Sequence, residues 1–120
     1  MIDQNEFTPF VLVEYDADSF GLLLFEDEMV GAEDVFQAWN AESNGHGWEG
    51  LAESVVRSQM SEIADKLAFS SESGTCVVNS GDLDALRRLG QVPLEAIHDH
   101  QLLGELIRDA DPVLLPHEIR

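Results

Sequence analysis

The sequence predicts an α+β domain: one antiparallel sheet built from two β-hairpins, with helices packed on one face. Three observations carry this expectation. Two pairs of apolar, β-rich segments each flank turn chemistry, within residues 10–25 and 67–79. The run from Trp48 to Leu67 repeats its apolar residues at helical spacing. The order is strand, strand, helix, helix, strand, strand, helix, helix, with no repeat or linker, so residues 1–120 read as a single domain around one core.

Residues 1–9 read as a polar lead-in ending at Pro9 and, like residues 111–120, are expected as a flexible or extended tail. Phe10-Val11-Leu12-Val13-Glu14-Tyr15 is rich in β-branched and aromatic residues and reads as a strand. Asp16-Ala17-Asp18-Ser19 supplies a turn, and Phe20 to Phe25 returns as the second strand of a hairpin. Continuous apolar character on both strands predicts that much of each face is covered. Glu26-Asp27-Glu28 ends the strand. Ala32 to Trp39 reads as a short helix with Val35, Phe36 and Trp39 at helical spacing and Glu33 and Asp34 in its first turn, where they favour the positive end of the dipole.

The loop Glu42-Ser43-Asn44-Gly45-His46-Gly47 leads into the most periodic segment, with Trp48, Leu51, Ala52, Val55, Val56, Met60, Ile63, Ala64 and Leu67 on one face. Leu67 to Ser71 and Thr75 to Asn79 flank Glu72-Ser73-Gly74, a second hairpin in which Gly74 can take positive φ. Ser80-Gly81-Asp82 caps a helix carrying Leu83, Leu86 and Leu89; Gly90 is expected to stop it and Pro93 to open another helix reaching about Ala110. Pro112 and Pro116 bracket the final stretch.

Apolar residues make up 44% of the chain, enough to bury a core and not remain disordered. No apolar run reaches the roughly 18 residues of a membrane span, and Met1 to Glu6 has neither a basic region nor an apolar signal core. Cys76 is alone and cannot form an internal disulfide. These features predict a cytoplasmic protein.

Charge is the strongest signal. Twenty-four acids oppose six Lys and Arg, for a net charge of −18. Thirteen acids, from Asp3 to Glu53, precede the first base, Arg57; eleven acids and all six bases follow, so the two parts carry −13 and −5. Such a field repels nucleic acid and anionic membrane, excluding both as direct partners, and attracts cationic proteins. The same acids also serve solubility alone, and charge by itself leaves the two roles open.

Sites for chemistry are sparse. Asn44-Gly45-His46-Gly47 has no nearby lysine, no strand directly before it and acidic surroundings, all opposed to phosphate binding. His98 and His100 would point about 200° apart on one helix and could not share an ion; His46 and His117 are isolated. Asp16-Ala17-Asp18 lacks the glycine and closing glutamate of a calcium loop. Cys76 sits in an apolar run with no local base, and reads as a small core residue. The expectation is no metal, no cofactor and no catalytic set.

The stretches "NGHGWEGLAESVV", "LAFSSESGTCVV" and "DLDALRRL", in that order over roughly residues 33–90, resemble the immunity protein 51 family of bacterial polymorphic toxin systems. Asn44, Gly45 and Trp48 match the first motif; Phe69, Ser71, Glu72 and Gly74 the second; Asp82 and Leu86 the third. His46 and Cys76 stand where an aromatic is usual, Gly47 where an acid is common and Ser70 where an Asp is frequent. The resemblance implies a cytoplasmic antidote that binds a cognate toxin domain without catalysis. The acids make a basic toxin the natural partner. Alternatives are an acidic interaction module or nucleic-acid mimic for another basic protein, and a small hydrolase. Candidate toxin contacts are Glu26, Asp27, Glu28, Glu33, Asp34, Glu42 and His46; the motif residues are expected to be structural, with Asn44 holding the turn and Trp48 anchoring the helix to the sheet.

Overall fold

The computed structural model describes residues 4–39, 41, 43–72 and 74–110. The first hairpin joins β1 (Val11–Asp16) to β2 (Ser19–Phe25). At its turn the Asp16 carboxylate accepts the Asp18 N–H at 2.9 Å, the local side-chain bond for which Asp is favoured in turns. A register shift between Glu14 and Asp16 makes a bulge around Tyr15. The second hairpin joins β3 (Leu67–Phe69) to β4 (Thr75–Ser80). Glu72 and Thr75 close its turn with reciprocal backbone hydrogen bonds of 2.9 and 3.2 Å. Antiparallel pairing of β2 with β4, from Phe20↔Ser80 to Phe25↔Thr75, fuses the hairpins into one sheet of order β1-β2-β4-β3. The fold class is therefore the one the sequence predicts.

Alternation along the strands decides which face is buried. The strand side chains in the core are Leu12, Phe20, Leu22, Leu24, Cys76 and Val78. All are even-numbered and share one face. Two long helices lie on it. Between the hairpins run α1 (Glu26–Met29), a 3₁₀ turn over Val30–Ala32, α2 (Glu33–Ala38) and α3 (Gly45–Gln59). After β4 come α4 (Leu83–His98) and α5 (His100–Asp109). α3 packs on β4, α4 on β2 and β4, and α5 on α4 and α2. Trp48, Leu51, Leu86, Leu89 and Leu103, each at most 2% exposed, fill the space between these helices and the sheet.

Several expectations are corrected. Glu26-Asp27-Glu28 do not merely end β2; they open α1. The helix expected over 48–67 starts earlier, at Gly45, and ends at Gln59, because Met60 adopts φ −149°, ψ 48°; a 3₁₀ segment, Ser61–Lys66, carries the chain on to β3. Gly90 does not stop a helix and Pro93 does not start one: α4 runs through both. Gly90 is buried where a Cβ would stand 3.0 Å from the Leu22 side chain and 3.2 Å from the Phe7 ring. Close packing there outweighs the low helix propensity of glycine. The real break is Asp99, whose side chain accepts the Gln101 and Leu102 N–H groups and caps α5.

No described glycine has positive φ, so the turn at Gly74 does not use that freedom. Phe7 is 3% exposed, and Arg87 holds Glu6 at 3.1 Å, so residues 4–9 pack on the domain where a tail was expected. The expected tail at 111–120 lies outside the described residues. No helix among the described residues is long and apolar enough to cross a membrane.

Candidate partner-binding surface

Part of the family motif, Asn44, Gly45, Ser71 and Glu72, meets at one junction, the start of α3 against the β3–β4 turn. Asn44 is the N-cap of α3, and its side-chain oxygen accepts the Gly47 N–H at 2.8 Å. The glycine-rich stretch expected as a loop is thus the first turn of the helix itself. A Cβ on Gly45 would overlap the Glu72 carbonyl and lie 2.5 Å from the Thr75 carbonyl oxygen. Glycine is required for that close approach of backbone to backbone. Glu49, one turn into α3, accepts the Ser71 N–H at 3.2 Å, and the Ser71 hydroxyl accepts the Val77 N–H at 2.9 Å.

Trp48 is 1% exposed. Its ring meets Phe10 edge-on at 6.3 Å and Phe36 at 5.4 Å. Its indole N–H donates to the Ser43 hydroxyl at 3.2 Å, which in turn donates to the Met29 carbonyl at 2.7 Å. A buried tryptophan needs such a partner for its one polar atom. Phe69 packs half-buried against the core, and Leu86 lies within it. Asp82 caps α4 by accepting the Asp84 and Ala85 N–H groups, and it pairs with Lys66 at 3.1 Å.

The acidic candidates lie elsewhere, on the segment between β2 and α3. Met29, Ala32 and Phe36 are 1%, 1% and 0% exposed. Anchoring the segment at these three positions turns Glu26, Asp27, Glu28, Glu33 and Asp34 outward, and all five are exposed. Glu33 accepts a hydrogen bond from Gln37 at 3.1 Å. The Lys and Arg residues described in the structure are engaged with other acids: Arg57 with Glu53, Lys66 with Asp82, Arg87 with Glu6, Arg88 with Glu62 and Arg108 with Asp109. Among the described residues no ion pair reaches the five acids. His46 is exposed on the first turn of α3. Glu42 lies outside the described residues.

Interleaved with the acids are exposed apolar groups that the sequence reading missed. Phe25, Val30 and Trp39 are 46%, 63% and 45% exposed. The sequence places Trp39 at helical spacing with Val35 and Phe36, in a helix reaching Trp39. It instead falls just beyond the end of α2, where the backbone leaves helical geometry at φ −111°, ψ 18°.

Cys76 is 5% exposed, and burial pushes its thiol up to about 12, leaving it protonated and unreactive at neutral pH. The cavity beside it, lined by Phe10, Trp48, Leu89 and Pro93 among others, has a volume of about 10 Å³, room for one water at most. His98 ends α4 and His100 opens α5, so they do not share a helix as the sequence reading assumed. Among the described residues no three His, Cys, Asp or Glu side chains are placed to hold a metal.

Comparison with known proteins adds one match. The family model for immunity protein 51 matches residues 10–112, spanning both hairpins and all five helices. No curated protein and no solved structure matches significantly.

Proposed function

Because the chain belongs to the immunity protein 51 family, we propose that it neutralises a cognate toxin of a bacterial polymorphic toxin system in the cytoplasm, by binding it and without catalysis. The observation that supports a basic toxin is the outward acidic segment, Glu26, Asp27, Glu28, Glu33 and Asp34, together with the engagement of the described bases elsewhere. Like charges clustered on the free protein repel one another, and a basic surface relieves that repulsion on docking. Glu42 and His46 are included in the proposed contact on their sequence positions, and His46 is exposed at the start of α3.

The test is co-expression with the toxin domain encoded beside this chain. Growth protection and a stoichiometric complex on pull-down are expected. Toxicity that persists despite folded, abundant protein overturns the proposal. Capture of a different basic protein, with no effect on the toxin, favours an acidic interaction module or nucleic-acid mimic instead.

A further inference from the structure

The sheet has a second face, and its strand side chains are absent from the core. Val11, Leu23 and Val77 are in register across β1, β2 and β4, forming an apolar row on the odd-numbered side. All three are partly exposed, and none is among the residues packed against the core. The described helices lie on the even-numbered side, the one-sided packing that the sequence predicts.

Two aromatics frame this row. Phe25, paired with Thr75, closes one end. Tyr15 stands at the other, 54% exposed, yet its hydroxyl donates to Asn79 Oδ1 at 3.1 Å. The bulge at Tyr15 and the bare Cα of Gly21 beneath its ring let the side chain lie across the sheet. An exposed aromatic held by a residue 64 positions away is ordered before anything binds it. Rigid aromatic anchors of this kind dominate binding surfaces because little conformational freedom is lost on contact.

We infer that this sheet face, which no described helix covers, is the apolar centre of the toxin interface, and that it takes a basic protein surface with an apolar middle. The inference rests on the toxin-binding reading above. Charge complementarity chooses the occupant. Exposed Glu14, Asp16 and Asp18 lie at the Tyr15 end, and exposed Glu26, Asp27 and Glu28 continue directly from Phe25. Acid at both ends disfavours a second copy in either orientation, since each would set carboxylates against carboxylates. It equally disfavours nucleic acid. A partner carrying Lys and Arg around an apolar patch satisfies the centre and both rims at once.

The experiment measures binding of the inactivated cognate toxin domain to wild type, Leu23→Arg and Gln101→Arg. The last places the same charge on exposed α5, in the helix layer. Leu23→Arg should weaken binding by about 30-fold or more, the loss typical of a disrupted hot spot, and Gln101→Arg by less than about threefold. Hydroxyl-radical footprinting of the wild-type complex avoids any question of folding: Tyr15 and Phe25 should be protected and His100 unchanged. Equal binding by the two variants, or unprotected Tyr15 and Phe25 in a formed complex, overturns the assignment of this face while leaving toxin binding intact. No binding by wild type overturns the toxin reading and this assignment with it. A wild-type dimer that Leu23→Arg converts to monomer assigns the face to self-association, and also overturns it.

Discussion

Gly45 lies so close beneath the Glu72 carbonyl that no side chain fits between the start of α3 and the β3–β4 turn. The obstruction is backbone on both sides, since the Thr75 carbonyl oxygen also closes on the same position. Gly45→Ala should therefore destabilise the protein by about 1–3 kcal/mol, although alanine is the better helix former. Urea unfolding checks this, and a stabilised variant would show that the junction yields without cost.

Trp48 joins the helix layer to Phe10 and Phe36, and its N–H completes the chain through Ser43 to Met29. Trp48→Ala should lower stability by about 3–5 kcal/mol, the range for removing a buried large aromatic. Trp48→Phe should cost less, because the ring contacts survive and only the hydrogen bond to Ser43 is lost. Equal losses in the two variants would assign the stability to the indole N–H.

Reversing charge at Glu26, Asp27 and Glu28 should slow association with the toxin at low salt, and added salt should shrink the difference from wild type. Stopped-flow association rates read this directly. An unaltered rate at low salt, with folded mutant protein, returns these acids to solubility and to the helix dipole alone.

Asp82 combines the α4 cap with the Lys66 ion pair, and its carboxyl is held below the ordinary value chiefly by Lys66 and then by the Ala85 N–H. A depressed carboxyl stabilises the fold above its unfolded-state value and loses that contribution as pH falls through the folded-state value. Asp82→Ala should accordingly lower the urea midpoint at pH 7. The gap from wild type should narrow as the pH drops below the carboxylate range. A gap independent of pH would exclude the charged form as its source.

The Cys76 thiol should resist alkylation in the native protein at pH 8 and react once urea unfolds it, since its value of about 12 comes from burial. Rapid native labelling would place Cys76 in an opening segment.

Much of this arrangement is legible in the residues. The hairpins show because β-branched and aromatic runs flank Asp16-Ala17-Asp18 and Glu72-Ser73-Gly74. α3 shows because its periodic apolar face must bury itself. Gly90 and Pro93 mislead, because breaker residues report local propensity, whereas tertiary packing against Leu22 and Phe7 decides that stretch. The junction at Gly45 is hidden for the same reason: its partner lies 27 residues on, at Glu72. The acids are visible as a count, but their outward aim comes from Met29, Ala32 and Phe36. An apolar strand such as Ser19–Phe25 does not tell which of its faces the helices will take.

The pairing of Phe20–Phe25 with Thr75–Ser80 also sets a timetable for synthesis. Val11 and Leu23 leave the ribosome early but acquire Val77 as a neighbour only after some fifty further residues, and closing so long a loop is slow compared with forming either hairpin alone. A nascent chain lacking β4 has no central pair, so it presents neither the row nor the Asn79 that orders Tyr15. If the sheet face is the proposed interface, binding waits until Thr75–Ser80 has been made and has paired with β2.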